Sequence, residues 1–230
     1  MDNNLTLIGH LVEFKKRLIK VAIFYILVFG CIYPFAGRLY DIIVAPEIAH
    51  LPVGSNIVAI DVTSPFFMPL RLDFYISFLI CAPFILYHLW GYFSPALLKH
   101  EKKFLLPIVL LSTLLFYIGF IATYYFVLPE LLHFFINVAP SSVKVMTDMS
   151  FLLSFIASTS LCVGLIFQIP VVMAICSKFN LVNKSAFKKS RRYAILCAFI
   201  IAMFIAPDVF FQLIFAIPIY LMYEFGILIS

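Results

Sequence analysis

Two acidic residues stand among basic ones in stretches that border long apolar runs. Glu13 lies in HLVEFKKRL (10–18), and Glu101 lies in YFSPALLKHEKKF (92–104). Taken singly, either acid is explained by charge balance at a helix end or with neighbouring lysines. Together they suggest more, because the planar guanidinium of arginine pairs bidentately with a carboxylate. The two acids therefore predict a site for a cationic peptide.

The composition excludes a soluble globular domain. The 230 residues are 64% hydrophobic and 12% charged, whereas about 25% of the residues in soluble domains are charged. No polar segment is long enough to form a second domain, so we predict one integral membrane domain over residues 1–230. The basic residues lie in short loops beside apolar runs, which argues against nucleic-acid binding. The five cysteines show no metal-binding spacing, so we predict neither metal nor cofactor.

Six apolar runs predict an all-α polytopic membrane protein, since a helix needs roughly 20 apolar residues to cross the bilayer. The last two runs are short, about 22 Å each as helices. Pro207-Asp208 separates them, which favours a tight hairpin of two spans over one bent helix. The first run is long enough to be retained as a span rather than removed as a signal peptide. The predicted spans cover residues 18–36, 65–93, 104–128, 149–177, 193–206 and 209–223.

The distribution of basic residues predicts the orientation in the membrane. Six spans put both termini on one side. If that side is cytoplasmic, all but three of the 16 Lys and Arg residues lie there, the exceptions being Arg38, Arg71 and Lys144. The opposite orientation would violate the positive-inside tendency. We therefore predict cytoplasmic termini, and Glu13 and Glu101 on the cytoplasmic face.

Other polar residues in or beside the spans allow structural explanations. Gln168, deep in the fourth run, suits a hydrogen bond between helices and a docking point for a partner helix equally well. Asp148 precedes the fourth run as an N-cap would. Asp208, between the last two runs, could likewise cap a helix end that is exposed to water. Asp73 lies near the start of the second span. Because no Glu or Asp occupies the middle of the first four spans, a proton relay or ion site is not expected.

Enzyme signatures such as HExxH, G-x-S-x-G and the P-loop do not occur in the sequence. The two halves of the chain do not mirror each other, which weakens an inverted-repeat transporter. A receptor for a cationic peptide is therefore the leading interpretation. A secondary transporter for a small solute is the alternative, and an intramembrane enzyme is a third.

Several stretches coincide with motifs of one family. The chain resembles TatC, a subunit of the twin-arginine translocase. The resemblance includes the whole C-terminal part of the chain, from KKSRRYAIL onward. The stretches that carry it are HLVEFKKRL, VAPEIAHLPVG, DVTSPFF, SPALLKHEKK, LLFYIG and TDMSFLLSF. The resemblance implies six spans in a cupped bundle in the bacterial cytoplasmic membrane. It also implies a receptor for twin-arginine signal peptides that exports folded proteins using the proton gradient. The implied partners are TatA and TatB, single-span subunits of an oligomeric complex.

The resemblance also implies roles for individual residues. Family signal-binding acids fall on Glu13 and Glu101, the family's loop aromatic on Tyr92, and a basic position on Lys15. Gln168 stands where many members carry Glu, although a hydrogen bond to a partner would survive that change. Further positions linked to assembly or transport are Pro46, Asp61, Tyr124, Asp148 and Asp208.

Overall fold

The computed structural model describes residues 2–40, 42, 57–58, 63–93, 105–138, 147–179, 181–205 and 209–230. Helices dominate these ranges. Four of the residues predicted to have a function lie outside them: Pro46, Asp61, Glu101 and Asp208.

The helices follow the apolar runs of the sequence. A 3-10 turn (Tyr33–Phe35) follows the first helix and leads into a further helical turn over residues 36–40, and a π-helical segment (Thr123–Val127) joins two others. Two short strands, β1 (Ile57–Val58) and β2 (Thr147–Asp148), pair in parallel. The helices are α1 (Asp2–Ile32), α2 (Ser64–Phe93), α3 (Leu105–Ala122), α4 (Leu128–Val138), α5 (Met149–Ile166), α6 (Ile169–Lys178), α7 (Lys184–Lys189), α8 (Arg191–Ile205) and α9 (Val209–Ile229).

Prolines account for most departures from regular helix, because the ring removes an N–H group and clashes with the carbonyl four residues earlier. Pro34 lies in the 3-10 turn after α1, and Pro170 lies in the first turn of α6, where the fourth predicted span bends. The π-helical segment lies just before Pro129. There the chain stays helical and continues to Val138, past the predicted end of the third span at residue 128.

Five helical segments within the described ranges are long and apolar enough to cross a membrane. They are Leu11–Tyr40, Phe66–Tyr92, Leu106–Phe134, Ser150–Lys178 and Phe211–Ile229. Helix α8 has 15 residues and measures about 22 Å, as short as predicted. Helix α9 extends six residues beyond the predicted span, to Ile229, because the residues after Glu224 are again mostly apolar.

The chain forms two compact units. The first contains Met1–Thr113 and Leu128–Ala157, and the second contains Leu114–Val127 and Ser158–Ser230. Apolar side chains are exposed in both, for example Phe66 at 64% in the first unit and Phe204 at 86% in the second. Such surfaces suit a chain whose helices face lipid.

In the first unit, α1 packs along α2 through aromatic pairs. The ring centroids of Phe24 and Phe84 are 4.4 Å apart, and those of Tyr25 and Phe74 are 5.4 Å apart. Stacked and edge-on aromatic pairs contribute about 0.5–1.5 kcal/mol beyond the area that they bury. This packing fixes α1 against α2 and so positions the residues at the end of α2.

Polar side chains connect the other helices of the first unit. The Trp90 Nε1–H group donates a hydrogen bond to Ser112 Oγ at 2.9 Å, which joins α2 to α3. The Ser150 hydroxyl donates to Ser64 Oγ at 2.9 Å, which joins α5 to the first residue of α2. Asp148 Oδ1 accepts from the Ser150 backbone N–H at 3.2 Å, which confirms the predicted cap of α5.

In the second unit, α9 packs against both α8 and α6, and α8 and α9 form a hairpin. An ion pair between Arg191 and Glu224, 2.7 Å from nitrogen to oxygen, joins the start of α8 to the end of α9. Halfway along, Gln212 Nε2 donates to the Phe199 carbonyl oxygen at 3.0 Å. Helix α9 has 21 residues and measures about 31 Å, so it is longer than the short span predicted for it.

Candidate functional site

The N-terminal acid of the predicted peptide site is held by an arginine on its own helix. Arg17 Nη2 and Nε donate to Glu13 Oε1 at 2.7 and 2.9 Å. The spacing of four residues places both side chains on one face of α1, with the acid nearer the N-terminus, which is the favourable order. Both side chains remain partly exposed, 35% for Glu13 and 27% for Arg17.

The second oxygen of Glu13 is available to another donor. Both of its hydrogen bonds with described residues go to Oε1, so Oε2 accepts none from that part of the chain. A carboxylate has about four lone-pair sites over its two oxygens and can accept a bidentate guanidinium. Glu13 can therefore bind a guanidinium from outside while it still contacts Arg17.

Helix α2 contributes an aromatic ring beside this acid. The Phe14 ring meets the Tyr92 ring edge-on, with centroids 5.3 Å apart. Tyr92 is the last but one residue of α2, immediately before the stretch that carries Glu101. The structure thus brings Tyr92 next to the residue that follows Glu13, while Glu101 lies outside the described residues.

A glycine on α2 makes room for the arginine. A Cβ atom at Gly91 would lie 2.5 Å from Arg17 Nη1, a separation that real Cβ atoms essentially never show. The guanidinium of α1 therefore lies directly over the backbone of α2. Arg17 connects the two helices at the level of Glu13 and Tyr92.

An apolar groove of about 180 Å³ opens beside these residues, between α1 and α2. Arg17 and His88 provide its polar groups. Its remaining lining residues are Phe14, Leu18, Val21, Ile85, Leu89 and Tyr92. A cleft of this size suits one or two apolar side chains of a bound segment, next to the carboxylate.

The other residues predicted for function lie elsewhere. Lys15 is exposed on α1, and its position two residues after Glu13 turns it about 200° around the helix from the acid. Tyr124 lies in the π-helical segment and is half-buried, with its ring edge-on to Tyr125. Gln168 lies at the turn between α5 and α6 and is 8% exposed. The site at Glu13 does not include Tyr124 or Gln168.

Three residues of this site were not predicted from the sequence. The spacing of four residues between Glu13 and Arg17 is a usable signal for the ion pair. His88 belongs to none of the motifs that predicted the site. No sequence pattern marks Gly91, because its role depends on how closely α1 approaches α2.

The comparisons with known proteins agree on one family. The family model "Sec-independent protein translocase protein (TatC)" matches residues 9–218. The chain is 38% identical to the TatC protein of Escherichia coli K12 over its whole length and 90% of that relative. It is 36% identical to TatC of Haemophilus influenzae, again over the whole chain and 90% of the relative.

A crystal structure described as the twin arginine translocase receptor TatC has the same fold. It superposes with a TM-score of 0.85 and 31% identity, over 96% of this chain and 97% of that chain. A second crystal structure, described as the same receptor in DDM, superposes with a TM-score of 0.84 and 30% identity, over 95% of this chain and 98% of that chain. The match confirms the predicted all-α polytopic membrane fold.

Proposed function

Because this chain belongs to the TatC family of Sec-independent protein translocase proteins, we propose that it is the subunit that binds twin-arginine signal peptides. As a family member it is a multi-pass protein of the bacterial cytoplasmic membrane and a translocase component, not an enzyme. Its proposed ligand is the arginine pair of the signal peptide of a folded cargo protein. The proposed site faces the cytoplasm, as the positive-inside tendency favours.

The accessible carboxylate of Glu13 is the observation that supports this proposal most directly. It is partly exposed, it pairs with Arg17, which lines the groove, and its Oε2 accepts no hydrogen bond from the described residues. One arginine of the peptide pairs with Glu13. The other pairs with Glu101, which follows α2 by eight residues.

Charge alone does not supply the affinity. An exposed ion pair contributes about 0–1 kcal/mol, whereas micromolar binding needs about 8 kcal/mol. The groove between α1 and α2 supplies apolar contact for the residues that adjoin the arginine pair, with Phe14 and Tyr92 at its rim. Glu13 and Glu101 select the peptide, and apolar burial holds it.

The wider assembly follows the family. The single-span subunits TatA and TatB pack against this chain in an oligomeric complex, and the proton gradient drives export. Tyr124, Gln168 and Asp148 are the described residues at positions linked with assembly or transport, and Pro46, Asp61 and Asp208 are the others. Because Gln168 is 8% exposed, a partner reaches it only if neighbouring side chains of the second unit move.

Site-specific photocrosslinking tests the peptide site. The chain is reconstituted in lipid nanodiscs with a photoreactive residue replacing Leu18, which lines the groove, or Phe126, which is also apolar and exposed but belongs to the second unit. A peptide with two arginines should crosslink at position 18 and not at 126, and a peptide with two glutamines should crosslink at neither. Equal crosslinking at both positions, or no dependence on the arginines, would refute the site.

A further inference from the structure

A second carboxylate of the first unit lies inside a membrane-spanning segment. Asp73 is the tenth residue of α2, within the apolar segment Phe66–Tyr92, and its exposed fraction is 0%. The sequence suggested a polar residue near the start of a span, with no acid deep enough for an ion or proton site. Asp73 does lie in the first third of α2, and the structure adds that its side chain is enclosed by protein.

One oxygen of this carboxyl group is bonded and the other is not. The Ser77 hydroxyl donates to Asp73 Oδ1 at 3.2 Å. Oδ2 is buried and has no hydrogen-bond partner among the described residues. Buried polar atoms without a partner are uncommon, and each implies an unseen ligand or a functional role.

The neighbouring groups do not neutralise a negative charge at this position. Arg71 is two residues away but exposed, and within the described ranges Asp73 forms no ion pair. The Tyr25 hydroxyl on α1 donates to the Phe74 carbonyl oxygen at 2.8 Å, so it does not donate to the Asp73 carboxylate. Tyr25 is the titratable group that interacts electrostatically with this carboxyl group within the described part of the chain.

We propose that Asp73 is a proton-binding site within the second span. A bare carboxylate enclosed in a membrane-embedded helix pair is unfavourable, and such a group binds a proton rather than remaining charged. The described residues contain no cluster of three or more His, Cys, Asp or Glu that could hold a metal ion in its place. The proton comes from water and bonds to Oδ2, giving a neutral carboxylic acid, while Oδ1 still accepts from Ser77.

The proton also affects how α1 packs on α2. The Tyr25 ring meets the ring of Phe74, the residue after Asp73, edge-on, and Tyr25 also interacts electrostatically with the Asp73 carboxyl group. A neutral acid is compatible with this close aromatic packing. Loss of the proton would leave an unpaired charge beneath the contact, so occupancy of the site stabilises α1 against α2.

Infrared spectroscopy of the full chain in lipid bilayers tests the proposal at neutral pH. Protein labelled with carboxyl-¹³C aspartate should show a carbonyl band of a protonated carboxylic acid that shifts with the label. The band should be lost in Asp73→Asn and kept in Asp148→Asn, in which a partly exposed aspartate is changed. Absence of a label-sensitive band in the unsubstituted protein would overturn the proposal without reference to any variant.

The variants show which aspartate gives rise to the infrared band. If it persists in Asp73→Asn, the proton lies elsewhere and the assignment is wrong. Because a carboxamide has nearly the shape of a neutral acid, Asp73→Asn should fold. Asp73→Thr, which places a hydroxyl group there, provides a second variant that should also lack the band.

Discussion

Glu13 and Asp73 are acids of the same compact unit, and their surroundings give them different chemistry. Glu13 is partly exposed and paired with an arginine one helical turn away, whereas Asp73 is enclosed and bonded only to a serine hydroxyl among the described residues. A carboxylate in contact with water stays charged and can exchange one cation for another. A carboxyl group shut off from water and from cations favours a proton. Exposure and available counter-charge therefore distinguish the two acids, since both are carboxyl groups on helices.

Charge reversal at Glu13 should have the largest effect. Glu13→Lys removes the proposed attraction and places a like charge against the arginine that pairs with Glu13, so we expect at least tenfold weaker binding, or about 1.4 kcal/mol. Fluorescence anisotropy with a labelled twin-arginine peptide in nanodiscs measures the affinity. Glu130→Lys, which reverses an exposed acid on α4, is the matched control and should bind normally. Undiminished binding by Glu13→Lys would remove Glu13 from the site.

Loss of the aromatic ring at the groove should have an intermediate effect. Tyr92→Ala removes the edge-on contact with Phe14, worth about 0.5–1.5 kcal/mol, so peptide binding should weaken roughly two- to tenfold. Tyr92→Phe keeps the ring and should bind within about twofold of the unsubstituted protein. The same anisotropy titration measures both variants. If Tyr92→Phe were as impaired as Tyr92→Ala, the hydroxyl group and not the ring contact would be responsible.

Removal of the internal partner of Glu13 should act in the opposite direction. Arg17→Gln frees Oε1 from its ion pair, and because such pairs contribute about 0–1 kcal/mol, peptide binding should tighten by up to about fivefold. Lys16→Gln removes the same charge from an exposed neighbour on α1 and should not tighten binding. Weaker binding by Arg17→Gln alone would show that Arg17 positions Glu13 rather than competing with the peptide.

Neutralisation of Asp73 should have the smallest effect on the peptide. Asp73→Asn resembles the neutral acid in shape and charge, so peptide affinity should stay within about twofold and the Tm should change by only a few degrees. Anisotropy and thermal unfolding of the reconstituted protein measure the two quantities. A large fall in Tm would mean that the carboxyl group contributes interactions that a neutral amide cannot replace.

Arg17, Gly91 and Asp73 show how much of these sites could be predicted from the sequence. Glu13 and Tyr92 were identified through their motifs, and the structure places Tyr92 beside the neighbour of Glu13. Arg17 was recognisable as a helical neighbour of Glu13 from its spacing alone. Gly91 was not, because its significance depends on the approach of another helix. Asp73 was read as a polar residue near a span end, since distance along a helix does not reveal what covers the side chain.

The sequence by itself determined that this chain spans a membrane and, through its motifs, the family to which it belongs. Long apolar runs must form helices in lipid, where backbone groups find no water, so hydropathy alone was sufficient for that conclusion. Tertiary structure decided which acid is accessible and which is enclosed. These outcomes depend on contacts between residues far apart in the chain, and a linear pattern does not contain those contacts.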